Sequence, residues 1–377
     1  MDLYENRVIE DDILCEAIFA NKQLHSYFEN SYGKLKPKNY CGFLSVEGND
    51  YFIVPKINER DDTQNLDTFL YMLMYAYDVK LSHEALAGYD THIHRFLEVF
   101  IRMFTDGLLN EFKRGVFKQY VTMQENLKVL RGKYMFERNF QNFYHQNLYC
   151  EYDEFSMDNA LNRFFLYAIR QFKKVSSYPN LSRCEQILDE VAYFNVDIKR
   201  TNIRFDRMNI RYQKSFEIAE MLLQRLVPLT SRSSQKSFAF LFNMAEVFEK
   251  FVGRLYKEVD PTAKLQVQKN FGSLQLKPDI VTDSMIVDTK YKLVNNRDDL
   301  LAQDKYQMFA YGVNFGIRDV MLLYPKHQVN VSENLELGEG DDLVRLRMRS
   351  LDLRIDGEFE VYVDEMRKRV EELKNGL

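Results

Sequence analysis

The stretch from Leu276 to Lys292 constrains this chain more than any other. It holds two apolar runs, Asp279-Ile-Val281 and Met285-Ile-Val-Asp-Thr-Lys-Tyr291, separated by Thr282-Asp-Ser284. β-Branched residues on both sides of an Asp–Ser break predict a tight β-hairpin. Side chains alternate along a strand, so Asp288 and Lys290 share one face while Val287 and Thr289 share the other. Asp279 opens the preceding strand and reaches the same end of the hairpin. Two carboxylates and one ammonium then converge on a small volume.

Such a trio suits phosphodiester hydrolysis. Hard divalent cations such as Mg²⁺ prefer oxygen ligands, often one or two carboxylates plus phosphate oxygens. The ion activates a water and offsets charge growing on the phosphodiester, and a neighbouring lysine orients that water or neutralises that charge. Pro278-Asp279, eight residues, then Asp288-Thr-Lys290 resembles the PD-(D/E)xK nuclease motif. A D-x-K triplet alone is more often a solvated ion pair at a sheet edge, so the flanking elements decide.

Upstream, Ser237 to Glu258 carries apolar residues at a helical period, with Glu249 beside the apolar face. Ala263 to Gln268 reads as an apolar strand, followed by the hairpin. A second helix, Arg297 to Val313, puts Gln307 and Tyr311 one turn apart on one face. Asp319 to Pro325 reads as a buried strand ended by proline. Helix, three strands, helix, strand is the core order of PD-(D/E)xK nucleases, and Glu249, Gln307 and Tyr311 fall where that superfamily places accessory residues.

A chain of 377 residues is long enough for two or three domains. Hydrophobic content of 46% excludes a disordered chain. With 56 acidic against 51 basic residues no global positive field draws it to DNA, so nucleic-acid affinity must come from a local patch or a partner. Cys15, Cys41, Cys150 and Cys184 form no C-x-x-C pair, as expected of reduced thiols. The acidic start, Met1-Asp-Leu-Tyr-Glu5, lacks the basic start and apolar run of a signal peptide. With no stretch approaching a membrane span, the expectation is a cytoplasmic protein with no membrane contact. Phosphate-cradling glycine motifs are missing, so no nucleotide is expected on this chain itself.

Taken in order, Asp11 to Phe28 reads as a helix. Cys41 to Val46 and Tyr51 to Val54 read as a hairpin around Glu47-Gly-Asn-Asp50. Asn65 to Tyr77 reads as an apolar helix whose Met72 and Met74 are core. Thr91 to Tyr120 is one long helix, or two broken near Gly107. His92 and His94 point apart on a helix and lack a third ligand. Leu127 to Met135 and Phe140 to Tyr152 are strands and loops. Ser156 caps a helix whose buried face is Leu161, Phe164, Phe165, Ala168 and Ile169. Asp197 to Lys214 is the most basic window, with Lys199, Arg200, Arg204, Arg207, Arg211 and Lys214 interleaved with Phe205 and Tyr212. It is either a solvated linker or helix face, or a contact with phosphates or an acidic partner. Residues 211 to 228 look helical, and Pro228 to Ser234 is the best linker signal. Leu335 to Asp342 reads as a loop, followed by strands at Val344 to Met348 and Leu351 to Ile355 and a charged C-terminal helix.

Several stretches taken together resemble the McrC family, the nuclease subunits of McrBC-type restriction systems directed at 5-methylcytosine DNA. They are Phe43 with Ile53-Val-Pro-Lys-Ile57, Leu70-Tyr-Met-Leu73, Leu130-Arg-Gly-Lys133, and Phe155-Ser-Met-Asp-Asn-Ala-Leu-Asn-Arg163. The series continues with Phe248-Glu249, Pro278-Asp279, Asp288-Thr-Lys-Tyr-Lys292 and Asp304-Lys-Tyr-Gln-Met-Phe-Ala-Tyr311. The resemblance implies a C-terminal endonuclease and an N-terminal part that engages and stimulates a hexameric McrB-like AAA+ GTPase, the reader of methylated duplex DNA. It carries the metal-ligand and lysine positions over to Asp279, Asp288 and Lys290, with the Thr289 backbone carbonyl as a further ligand.

The expected fold is α+β (mixed α/β). An N-terminal α+β, partner-binding region covers 1–150, a helical connector 151–234, and a restriction-endonuclease-like domain with an αβββαβ core 235–377. The expected cofactor is Mg²⁺, with Mn²⁺ as a substitute. Asp279 and Asp288 hold it, Lys290 orients the water, and Glu249 binds a second cation or that water. Gln307 and Tyr311 give support. Lys292, Arg200, Arg204, Arg207 and Arg211 are the candidate DNA contacts. The rival readings are a non-catalytic adaptor that activates an AAA+ NTPase and only binds DNA, and a stand-alone defence or repair nuclease.

Overall fold

The computed structural model describes residues 2–55, 57, 62–78, 93–142, 146–198, 202–229, 237–355 and 357–376. The chain gathers into two compact units, Met1–Tyr89 with Phe240–Leu377, and Asp90–Ala239. The division expected at residues 150 and 234 is sequential, whereas the first of these units is discontinuous.

The N-terminal part of the first unit runs β1 (Asp2–Tyr4), α1 (Asp12–Ala20), β2 (Phe28–Ser31), β3 (Lys34–Pro37), β4 (Tyr40–Val46), β5 (Asn49–Val54) and α2 (Asp62–Ala76). The helix expected over 11–28 stops at Ala20. Asp11 caps its start, accepting from the Leu14 amide at 2.9 Å. At its end the Asn21 side chain donates to the Ala17 carbonyl while the Asn21 backbone turns extended. The hairpin forms as expected, with Val46 opposite Asn49. Both loop residues, Glu47 (φ 49°) and Gly48 (φ 86°), are left-handed, the conformation that matches strand twist in a two-residue turn. Gly42 at φ 135° lies so close to the Phe240 carbonyl that a Cβ would collide with it.

The second unit holds α3 (Ile93–Lys113), β6 (Gln119–Leu127), β7 (Lys133–Tyr134), α4 (Phe136–Phe140), β8 (Leu148–Ser156), α5 (Ala160–Phe172), α6 (Pro179–Ile187), α7 (Gln213–Arg225) and β9 (Leu226–Pro228). α3 passes Gly107 without a break; the missing side chain admits Ser215 of α7, whose Oγ would lie 3.3 Å from a Cβ. The antiparallel sheet β6-β8-β7 carries the 127–152 region. Ser156 ends β8 instead of capping α5: Asn159 is the cap, accepting from the Asn162 amide at 3.1 Å. His92, Lys199, Arg200 and linker residues 230–236 lie outside the described residues.

The chain returns through β10 (Phe238–Asn243), α8 (Met244–Val259), β11 (Lys264–Leu265), β12 (Lys269–Phe271), β13 (Leu274–Leu276), β14 (Ile280–Val281), β15 (Ile286–Thr289), α9 (Ala302–Phe315), β16 (Asp319–Pro325), β17 (Ser332–Leu337), β18 (Val344–Leu351) and α10 (Phe359–Asn375). The helix expected from Ser237 starts only at Met244. Phe238 to Phe242 is a continuous apolar run without a polar face, and it is buried as a strand. Asn243 then caps α8 through the Ala245 amide. The six-stranded sheet has the order β11-β14-β15-β16-β18-β17, with β15, β16 and β18 mutually parallel. α9 covers one face, where Met308 and Tyr311 join Ile286, Val320, Leu322, Leu346 and Met348. On the opposite face Tyr256 of α8 reaches the Met321 sulfur. The αβββαβ order is present: the strand expected over 263–268 is the short β11, and the β12–β13 hairpin is inserted between it and β14. Of the two strands expected at 344–348 and 351–355, the first forms and runs on to Leu351 as β18, and 352–355 is not a strand. Among the described residues no helix is long and apolar enough to cross a membrane.

Two outcomes test this packing. Gly42→Ala should lower unfolding free energy by about 3 kcal/mol or more, since overpacking and a strained left-handed site add; chemical denaturation measures it. Asp352 is half-buried, and against that burial the hydrogen bonds from Arg354 and Lys326 hold its carboxyl far below the usual carboxylate range. Its contribution is therefore complete above about pH 4 and fades as pH falls through the lowered folded-state value. Asp352→Asn should cost about 1–3 kcal/mol at neutral pH, with a smaller penalty in unfolding scans at strongly acidic pH.

Candidate active site

β14 and β15 pair antiparallel, Ile280 opposite Val287 and Val281 opposite Ile286, around a turn closed by Thr282. Beyond Thr289 the strand stays aligned, because the Lys290 amide donates to the Leu323 carbonyl at 2.9 Å. Asp288 and Lys290 therefore share a face, and the Lys290 ammonium lies 2.6 Å from the Asp288 Oδ2. Asp288 is only 2% exposed. Burial and the nearby Asp279 charge push its carboxyl up to about 6, with Lys290 opposing. Burial works against the Lys290 ammonium, yet Asp288 keeps it above its ordinary value.

Asp279 precedes β14. Its Oδ2 accepts from both the amide and the hydroxyl of Thr289, each at 2.8 Å. From α9, Gln307 accepts from Lys290 Nζ at 3.0 Å through Oε1 and donates through Nε2 to the Tyr311 hydroxyl at 2.7 Å. Tyr311 in turn donates to the Lys277 carbonyl at 3.2 Å. One turn of helix thus ties the lysine to the segment carrying Asp279. Burial, with Asp288 nearby, raises the Tyr311 hydroxyl to about 12, so it is a neutral donor.

Glu249 on α8 meets the site through a residue that sequence analysis did not single out. Gln266 Nε2 donates to Glu249 Oε1 and, at 3.2 Å, to Asp279 Oδ1. The Gln266 backbone is left-handed at φ 51°, a conformation costing a non-glycine residue about 1–3 kcal/mol, and its amide donates to the Asp279 carbonyl at 2.8 Å. Nothing in the local sequence marks this bend. Burial, then repulsion from Asp279, pushes Glu249 up to about 7. Lys292 pairs with the buried Asp304 at 2.9 Å while staying 40% exposed.

The basic window divides. Arg211 donates to the carbonyls of Glu111 and Gly115 and pairs with Glu111 at 3.6 Å, so it closes the end of α3. Arg204 and Arg207 are exposed.

Among the described residues no three His, Cys, Asp or Glu side chains lie together so as to hold a metal by themselves. The donors here are hard oxygens, those of two mutually repelling carboxylates. They fit a cation that keeps water and phosphate oxygens as its other ligands, as Mg²⁺ does.

Sheet order and flanking helices define a mixed α+β protein. A family model described as McrBC 5-methylcytosine restriction system component matches residues 35–325. The chain belongs to that family, in agreement with the resemblance read from its sequence. It is similar over 100% of both chains, at TM-score 0.57 and 20% identity, to a chain of a Thermococcus gammatolerans assembly described as a refined half-complex of McrB AAA+ hexamers with bound McrC. The cryo-EM structure of the T. gammatolerans McrBC complex contains a chain similar at TM-score 0.48 and 24% identity, covering 69% of this chain and 87% of that one. No curated protein sequence matches.

Arg211→Ala should destabilise the fold by about 1–3 kcal/mol, the cost of carbonyls losing a charged donor. Arg204→Ala should stay within about 0.5 kcal/mol of wild type, as surface changes do. Thermal unfolding of the two variants separates the structural arginine from the solvated one.

Proposed function

We propose that this chain is the Mg²⁺-dependent endodeoxyribonuclease subunit of a McrBC-type restriction system, cutting methylated duplex DNA together with an AAA+ GTPase hexamer that it stimulates. The observation that carries the reading is the assembly of Asp279, Asp288 and Lys290 at one end of the β14–β15 hairpin, inside an αβββαβ core. Asp279, Asp288 and the Thr289 carbonyl would hold the ion, which when bound activates a water and offsets charge on the scissile phosphate.

The chain's own residues supply the rest. Lys290, held between Asp288 and Gln307, orients the attacking water or neutralises the developing phosphate charge. Tyr311 fixes Gln307, and Glu249 lies beside Asp279 through Gln266. Lys292, anchored by Asp304 and still accessible, meets a strand phosphate, with Arg204 and Arg207 as further candidates for backbone contact. The N-terminal region engages the GTPase. The known assembly of McrB AAA+ hexamers with McrC supports such a partner.

An adaptor whose nuclease core only binds DNA is the rival. A core that has lost catalysis normally lacks a ligand, and here the trio is intact, with Lys290 paired to Asp288 and Asp279 bonded to the intervening Thr289. Plasmid cleavage in Mg²⁺, with the neighbouring GTPase and GTP, on methylated and unmethylated DNA, decides between them. Asp288→Ala should reduce cutting by about a hundredfold or more while folding and GTPase stimulation persist. Equal, negligible cutting by wild type and variant with GTP turnover still stimulated establishes the adaptor.

A further inference from the structure

We propose that the Gln266 amide occupies the place between Glu249 and Asp279 that a second cation takes in a two-metal nuclease centre, so that this site holds a single divalent ion. The inference rests on the nuclease reading above and specifies its metal count. Glu249 comes from α8 and Asp279 from the segment before β14, two elements whose carboxylates are joined by one side chain. An ionised carboxylate accepts and does not donate, and the –NH₂ of Gln266 faces both, one donor toward Glu249 Oε1 and one toward Asp279 Oδ1 at 3.2 Å.

The side chain is built into this place. Its backbone is left-handed at φ 51°, and its own amide is bonded to the Asp279 carbonyl, so main chain and side chain grip the same residue. Mg²⁺ needs oxygen ligands at about 2.0–2.1 Å, and it cannot share the space that the amide nitrogen fills. Two-metal centres place their ions about 3.5–4 Å apart, clamping the attacking and leaving oxygens. Here the position between Glu249 and Asp279 carries a neutral amide. Consistently, no three His, Cys, Asp or Glu side chains among the described residues are placed to hold a metal ion together. Gln266 is thus a positioning residue: it joins Glu249 to Asp279 by hydrogen bonds where a two-metal enzyme would use charge, and it leaves Asp279 and Asp288 as the ion's protein carboxylates.

The test is Mn²⁺ binding to the full chain, with free ion read by electron paramagnetic resonance and thermal unfolding checking each variant. Wild type should bind a single ion in this site, and Asp288→Asn should lose it. Glu249→Gln should keep the wild-type stoichiometry, because Glu249 is not a ligand. Gln266→Glu should gain a second ion, since three carboxylates then face the space the amide held. Two ions on wild type, one of them lost in Glu249→Gln, would overturn the proposal and leave the nuclease reading standing. A folded Gln266→Glu variant that binds no additional ion would also overturn it. No ion on wild type would sink the metal reading of the site and this proposal together.

Discussion

Burying a carboxylate on a central strand is costly unless an opposite charge and hydrogen bonds come with it, and Asp288 at 2% exposure sets that demand here. Lys290 meets it from the same face, which requires the backbone to stay extended past Thr289 and to pair with β16. Lys290 is in turn held by Gln307, Gln307 by Tyr311, and Tyr311 by the Lys277 carbonyl beside Pro278 and Asp279. Asp279 returns to Thr289, next to Asp288. The result is a closed circuit through a hairpin and one helical turn, in which each polar group restricts the next.

The first compact unit explains why the N-terminal residues matter to this circuit. Tyr291 lies between the two lysines, and its hydroxyl donates to Glu5, a buried residue 286 positions earlier, at 3.1 Å. α2 packs by its rings against the C-terminal half: Phe69 against Phe242, Tyr75 against Phe251 and Tyr71 against Tyr362, with centroids 5.9, 5.4 and 5.3 Å apart. Aromatic pairs of this kind add to the area they bury. The C-terminal sheet and its flanking helices are therefore finished by residues from the other end of the chain, with Asp90–Ala239 folded as a separate unit.

Local patterns were legible wherever one physical rule governed. Alternation set the faces of β15, and helical spacing set Gln307 over Tyr311. A Gly-containing turn set the first hairpin, although Glu47 and Gly48 are its loop residues, with Asn49 already paired. Patterns failed where two structures share a signature. Phe238 to Phe242 is apolar throughout and reads equally as strand or helix. Ser156 and Asn159 are both competent caps, and only the end of β8 at Ser156 selects the second. Arg211 reads from sequence as a solvated cation or a DNA contact, but the carbonyls at the end of α3, about a hundred residues away, claim it.

By itself the sequence determined the grouping of Asp279, Asp288 and Lys290, its strand and its supporting helix, because these depend on short spacings that backbone periodicity converts into proximity. The tertiary structure decided what stands between Glu249 and Asp279. Gln266 reaches both because a left-handed bend directs it there, and no residue preference announces a glutamine in that conformation. It also decided that the two ends of the chain form one unit. Joining Glu5 to Tyr291 depends on packing of side chains far apart in sequence, and no local periodicity encodes such contacts.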